Sequence, residues 1–136
     1  MKFNKKLGVI GGLAVAVCVC ASATAFKAPD VQYTNLKVLP KNISSKDLQG
    51  IMVDDFQDGL GVTCGFCHAN AADGHGLDFA SDAKPEKEIS RQMMRMTLGI
   101  NKKYLMIKHP IIGSAGLVVS CNTCHKGEAF PDGGPK

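Results

Sequence analysis

The sequence predicts a small, mainly α, loop-rich domain, and three observations carry that prediction. The pattern C-x-x-C-H occurs twice, at Cys64–His68 and at Cys121–His125. Ahead of each copy, apolar residues recur at helical spacing. The 136-residue chain also has two Tyr, six Phe and no Trp, a thin supply of large side chains for a core. A chain so made relies on disulfides, a metal or a large cofactor as internal filler.

The elements follow in order. Lys2, Lys5 and Lys6 open the chain, Leu7 to Ala23 is apolar or small, and Ala21, Ala23 and Ala25 are spaced as in a cleavage site. Residues 1–25 therefore read as a secretory signal peptide cut after Ala23 or Ala25, with an uncleaved membrane anchor as the alternative. Cys18 and Cys20 each follow a valine, not the small residue that precedes a lipidated cysteine, and are lost with the signal. Residues 26–43 are an extended lead-in, because Pro29, Pro40 and the alternation in "VQYTNLKVLP" oppose helix. Residues 44–136 form the domain that carries both motifs. Ser44 or Ser45 caps a helix on which Leu48, Ile51, Met52 and Phe56 share a face, and Gly59 and Gly61 end it. A polar, turn-rich loop follows the first motif. Pro85 starts a long helix with Glu86 and Glu88 in its first turn; Ile89, Met93, Met96 and Ile100 form its buried stripe, and His109-Pro110 stops it near Lys108. The second motif and a flexible "DGGPK" tail complete the chain. Helix, motif, loop, helix, motif is a weak two-fold repeat, too short for a solenoid.

Charge narrows the possible partners. Lys and Arg total 16 against 12 Asp and Glu, and three of the lysines lie in the leader. The rest is nearly balanced, without the clustered positive surface that nucleic acid requires.

C-x-x-C-H is the attachment signature of c-type haem. Two cysteines one helical turn apart can form thioethers with the two vinyl groups on one porphyrin edge. The next residue then presents an imidazole to the iron. Cys64 and Cys67 with His68, and Cys121 and Cys124 with His125, predict two covalent haem c groups, which would also supply the missing core. A zinc site built from both C-x-x-C pairs is disfavoured, because Cys67 and Cys121 are much farther apart than in zinc ribbons. A dithiol redox motif suits an exported chain, but would need neither histidine nor this scaffold. The second axial position decides between electron transfer and ligand chemistry, since a thioether sulfur there raises the potential and blocks other ligands. Met52, Met93, Met94, Met96, Met106, His75 and His109 are the candidates. Met52 lies on the helix feeding the first motif, and Met93 and Met96 on the stripe before the second. Met94 points about 100° from Met93 and is disfavoured. His75 reads as a solvated loop residue, and His109 as a favourable cation at a helix end.

"FASDAKPEKEISRQMMRMTLGIN" together with "CNTCHKG" resembles the cytochrome c subunit of photosynthetic reaction centres. "NLKVLP" and "MVDDFQDGLGVTCGFCH" are similar to the segment upstream, so the resemblance runs from about Val31 to Gly127. It implies haem units in which a helix carries an axial ligand ahead of a turn and C-x-x-C-H. It also implies Met52 and Met93 as distal ligands and His68 and His125 as proximal ones, with Met96 and His109 ranked below. His109 lies near a family histidine that serves a haem in the half this chain lacks, and a few extra residues separate Asn101 from Cys121. Larger members hold four haems as two related pairs, dock on the reaction centre and re-reduce its pigment; this chain is similar to one pair. The expectation is a periplasmic multihaem cytochrome c, free or membrane-associated, with two helix–turn–C-x-x-C-H units packed around two haems. It would be an electron carrier between redox donor and acceptor proteins of membrane-associated respiratory or photosynthetic complexes, with no small-molecule substrate. A small peroxidase-like haem enzyme with one open iron position is the alternative.

Overall fold

The computed structural model describes residues 32–131. The leader, its cleavage site, the first residues of the lead-in and the C-terminal tail lie outside them. No helix among the described residues is long and apolar enough to cross a membrane.

Helix α1, Ser45–Gly50, starts where the Ser44 hydroxyl accepts a hydrogen bond from the Asp47 N–H at 3.1 Å. It runs directly into a π-helical segment, Ile51–Asp58. Gly59 N–H bonds the Asp54 carbonyl, and Val62 N–H bonds that of Gln57 at 3.1 Å, both at the wide π spacing. Such widened turns recur at functional sites, and this one leads into the first motif. The face expected from the sequence is the packed one. Ile51 is buried, and Leu48, Met52 and Phe56 pack half-buried against a core of Leu39, Ile51, Met94 and Ile112.

The first motif forms the single helical turn α2, Cys64–Cys67. The loop after it is closed by two short strands, β1 (Ala69–Asn70) and β2 (Leu77–Asp78), antiparallel in the register Ala69↔Asp78. Helix α3, Pro85–Lys103, begins at the proline read as its start, with Glu86 and Glu88 in the first turn and Lys102 and Lys103 in the last, each suited to the macrodipole. The second motif forms α4, Cys121–His125, whose capping residue Ser120 exchanges hydrogen bonds with Thr123.

Three expectations are corrected. Residues 32–43 are a series of bends and turns, with Leu39 buried and Leu36 and Val38 packed on the core, so their apolar side chains serve packing instead of an extended run. Helix α3 stops at Lys103, ahead of His109-Pro110. Met106 takes a left-handed conformation, φ 57°, and Ile107 N–H returns to the Asn101 carbonyl at 3.0 Å, so the chain folds back before the proline is reached. The buried stripe of α3 is Arg91, Met94, Thr97 and Asn101, while Ile89, Met93 and Met96 are exposed at 52, 44 and 51%. Arg91 and Asn101 have specific polar partners on the core side, and meeting them rotates the apolar stripe outward.

Asn101 is fully buried and ties α3 to the approach of the second motif. Its amide donates to the carbonyls of Thr97 (2.9 Å) and Val119 (2.7 Å), and its oxygen accepts from Val118 N–H (3.0 Å) and Val119 N–H (3.2 Å). The two motif regions meet at glycine. Gly127 N–H bonds the Gly59 carbonyl at 3.0 Å, and a Cβ on Gly61, which has φ +63°, would run into the Gly127 carbonyl oxygen.

Two outcomes test these brackets. Asn101→Ala should lower stability by about 1–3 kcal/mol, because it strands buried backbone groups; a denaturation midpoint equal to wild type would refute the bracket. Gly61→Ala combines a positive φ with a backbone collision, so a loss of about 1–3 kcal/mol or more is expected in the same assay. Gly74→Ala has a similar φ but open space around it, and should cost less.

Candidate haem-binding sites

The first motif opens on a cavity of about 660 Å³, within the range of about 300–1,000 Å³ common for small-molecule and cofactor sites. Leu36, Val38, Leu39, Leu48, Val53, Phe56 and Val62 give it an apolar wall, and Met52, Cys64, Cys67, His68 and Met94 lie on it. Cys64 and Cys67 are free thiols on one helical turn, the first exposed and the second half-buried. His68 follows with extended backbone, its N–H returning to the Cys64 carbonyl at 3.0 Å. Met52 and His68 therefore share one enclosure, reached from the π segment and from the end of α2. Met94 contributes a second sulfur to the same wall and is only 6% exposed, although it points away from the stripe read from the sequence.

The His68 ring meets Phe79 edge-on at 5.0 Å, a contact set up by the β1–β2 pair. Burial depresses its pKa, and the charges of Lys87 and Arg91 push the same way. Both influences favour the neutral imidazole that a metal takes as ligand. Its Nδ1 is buried without a hydrogen-bond partner among the described residues.

A charged lattice lies beside this histidine. Asp82 pairs with Lys37 at 2.6 Å, Arg91 at 2.9 Å and Lys87 at 3.7 Å, and accepts from Asn35 at 2.8 Å. The Lys37 bond, with those from Asn35 and Arg91, holds its carboxyl far below the usual range. Arg91 also pairs with Glu88 at 3.1 Å, and Lys87 donates to the Phe79 and Ser81 carbonyls at 2.8 and 2.6 Å. Periodicity gave no notice of this cluster. Its signal was the spacing of Lys87, Arg91 and Met94, three and four apart on one helix face.

The second motif has the same exposure as the first. Cys124 is exposed, Cys121 and His125 are half-buried, and His125 Nδ1 lies 2.9 Å from the Glu128 carbonyl. With the carbonyl accepting from Nδ1–H, the other ring nitrogen is left as the lone-pair donor, the arrangement of metal-bound histidines. Burial, followed by the neighbouring Asp55 charge, raises the Cys121 thiol to about 11. Burial and the Asp54 charge in turn raise Asp55. Met93 and His125 are not on the cavity that holds Met52 and His68, and Met93 and Met96 face solvent. His109 lines a shallow surface pocket with Leu98, Lys102 and Lys108, and His75 is exposed in the β1–β2 loop. The two C-x-x-C pairs do not converge: among the described residues no three metal-binding side chains come together.

A covalent haem fits the first motif on the strength of its apolar cavity, its paired rim thiols and its neutral imidazole. At the second motif the same donor set is present, with the His125–Glu128 contact fixing the ring. The family model described as photosynthetic reaction centre cytochrome C subunit matches residues 13–133. No curated protein matches the chain, and no solved structure does.

The Asp82 lattice yields a pH test. Its folded pKa is depressed, so its contribution is complete above the unfolded value of about 3.9 and fades as pH falls toward the folded one. Thermal melts of wild type and Asp82→Asn should differ at pH 7, and the gap should narrow steadily as pH falls below about 4. A constant gap would refute the assignment.

Proposed function

The chain belongs to the photosynthetic reaction centre cytochrome C subunit family, and from that premise we propose that it is an exported, periplasmic dihaem cytochrome c. It carries single electrons between a donor and an acceptor protein. The observation that carries the reading is the cavity on which Met52, Cys64, Cys67 and His68 converge. When bound, each haem supplies a one-electron iron couple. Cys64 and Cys67 would hold one haem by thioethers, and Cys121 and Cys124 the other. His68 and His125 would each give a nitrogen to iron, and Met52 and Met93 a sulfur. Leu36, Val38, Leu48 and Phe56 keep water from the first site, which limits reorganisation when charge changes there. Exposure of Met93 on α3 is compatible with its role, since a side chain that binds a large apolar group must not be spent on the protein core.

The reading departs from an enzyme at the sixth position. Two closed irons transfer electrons only; an open one could support peroxidase-like chemistry.

Protein matured in an exporting host should contain two haems and give the weak long-wavelength ferric band of methionine sulfur on iron. Met52→Ala and Met93→Ala should each remove about half of it, with the loss read against total haem. Met94→Leu, a volume-conserving change, should leave it intact. Loss of the band in Met94→Leu but not in Met52→Ala would move the first distal ligand to Met94. Carbon monoxide binding by the reduced wild type at neutral pH would favour the open-iron enzyme.

A further inference from the structure

The end of α3 carries side chains that neither the core nor the two motifs use. The helix stops at Lys103, Tyr104 caps it, and Met106 turns left-handed before Ile107 N–H returns to the Asn101 carbonyl at 3.0 Å. The chain therefore reverses through Tyr104, Leu105 and Met106, and these large side chains form the tip of the turn. They are 67, 39 and 79% exposed, and Ile111 farther along is 52% exposed. Polar residues and glycine serve a turn without leaving apolar surface in water. At Met106, asparagine or glycine would also take the left-handed backbone with less strain. An exposed apolar group at such a place marks a contact surface.

Basic side chains surround the tip. Lys102, Lys103, Lys108 and His109 are exposed. The Lys103 ammonium lies over the Tyr104 ring, 5.1 Å from its centroid. Lys102, Lys108 and His109 line one shallow hollow with Leu98 and Ile111, which puts charge and apolar surface on the same side. None of the three lysines has an ion-pair partner among the described residues. The sequence explains why. From Ile89 to Gly127 the charged residues are Arg91, Arg95, Lys102, Lys103, Lys108 and Lys126, with no Asp or Glu between them. The helix macrodipole accounts for Lys102 and Lys103, but not for Lys108 or the apolar tip.

We propose that this turn, residues 102–111, is a membrane-contact site for anionic phospholipid. Tyr104, Leu105 and Met106 enter the headgroup region of the bilayer, while Lys102, Lys103 and Lys108 meet lipid phosphates. Shape and chemistry favour lipid over a protein face. A narrow convex turn offers little area to a folded partner, which would need a matching pocket to bury it. Headgroups part around such a turn without one. Tyrosine, with an apolar ring and a polar end, suits the boundary between water and hydrocarbon. Lysine stems lie along apolar surface while their ammonium groups stay in water. Phosphates supply the opposite charge that the surrounding chain lacks. The attachment is weak and reversible, because few residues contribute to it. It belongs to the mature domain and does not depend on the electron-carrier reading. A carrier held this way would reach membrane-bound partners by diffusing along a surface.

The test is co-sedimentation of the mature, haem-loaded protein with vesicles of phosphatidylcholine alone or of equimolar phosphatidylcholine and phosphatidylglycerol. Binding is expected to the anionic vesicles only, and should weaken as salt rises. Lys102→Gln with Lys108→Gln should lower the partition constant about tenfold or more. Leu105→Ser with Met106→Asn should lower it about tenfold at unchanged net charge. Lys41→Gln with Lys46→Gln removes the same charge from exposed positions outside the turn and should leave partitioning near wild type. Thermal midpoints of all three variants should match wild type, so that a loss of binding is not a loss of fold. Absence of binding to anionic vesicles at low salt would overturn the proposal and leave the patch to an acidic protein. Equal losses in the two lysine pairs would overturn it in favour of diffuse attraction by net charge. Salt-insensitive binding to both vesicle types, unmoved by any variant, would overturn it by assigning attachment to a retained leader.

Discussion

A shortage of core governs this protein. Leu39, Ile51, Met94 and Ile112 are the apolar side chains buried among the described residues, and a domain of this size needs more than that to offset its conformational entropy. Two kinds of interaction make up the difference. Polar brackets fix the backbone where side-chain packing is thin: Asn101 uses both amide hydrogens and its oxygen on Thr97, Val118 and Val119. The contact between Gly59–Gly61 and Gly127 brings the regions of the two motifs together. The apolar cavity is the other element. Its wall is made from the same half-buried residues that pack on the core, Leu48, Met52 and Phe56 among them. A covalently held macrocycle would turn that wall into interior surface, so binding and folding draw on one set of side chains.

The fold and site were unequally legible. Helix starts read well, because Ser44 and Pro85 act through local chemistry that any context preserves. The motifs are visible as a pattern alone, because a thiol–thiol–imidazole order within one turn needs nothing from the rest of the chain. The family-scale match over residues 13–133 extends that legibility to the whole described region. The failures share one cause. Periodicity weighs apolar residues and treats Arg91 and Asn101 as surface, yet both are buried because distant partners satisfy them. Asp82 and the backbone at Val118–Val119 are those partners, and neither is visible from the helix itself. Once Arg91 and Asn101 turn inward, Met94 follows and Met93 and Met96 turn out. The π segment was equally hidden, since its hydrogen-bond spacing changes the width of a turn and not its composition.

That rotation separates the roles of the methionines. A methionine committed to the core cannot easily be withdrawn to a metal, and one left on an exposed face is free to be covered. Met94 is committed, packed beside Leu39, Ile51 and Ile112. Met93 and Met96 are not. Met52 is intermediate, half-buried on the cavity wall, where a sulfur can face the enclosure while its stem remains packed.

Sequence repetition conceals physical inequality between the motifs. The first is walled by apolar residues and closed by the Phe79 contact, so fields act there through low dielectric and a buried cation counts for more. At the second the influences are a backbone carbonyl on the imidazole and the charge of half-buried Asp55 acting on Cys121. Duplicating a five-residue motif duplicates covalent chemistry only. What differs is the surrounding chain, since α3 gives the first copy Lys87 and Arg91 whereas the π segment gives the second Asp55.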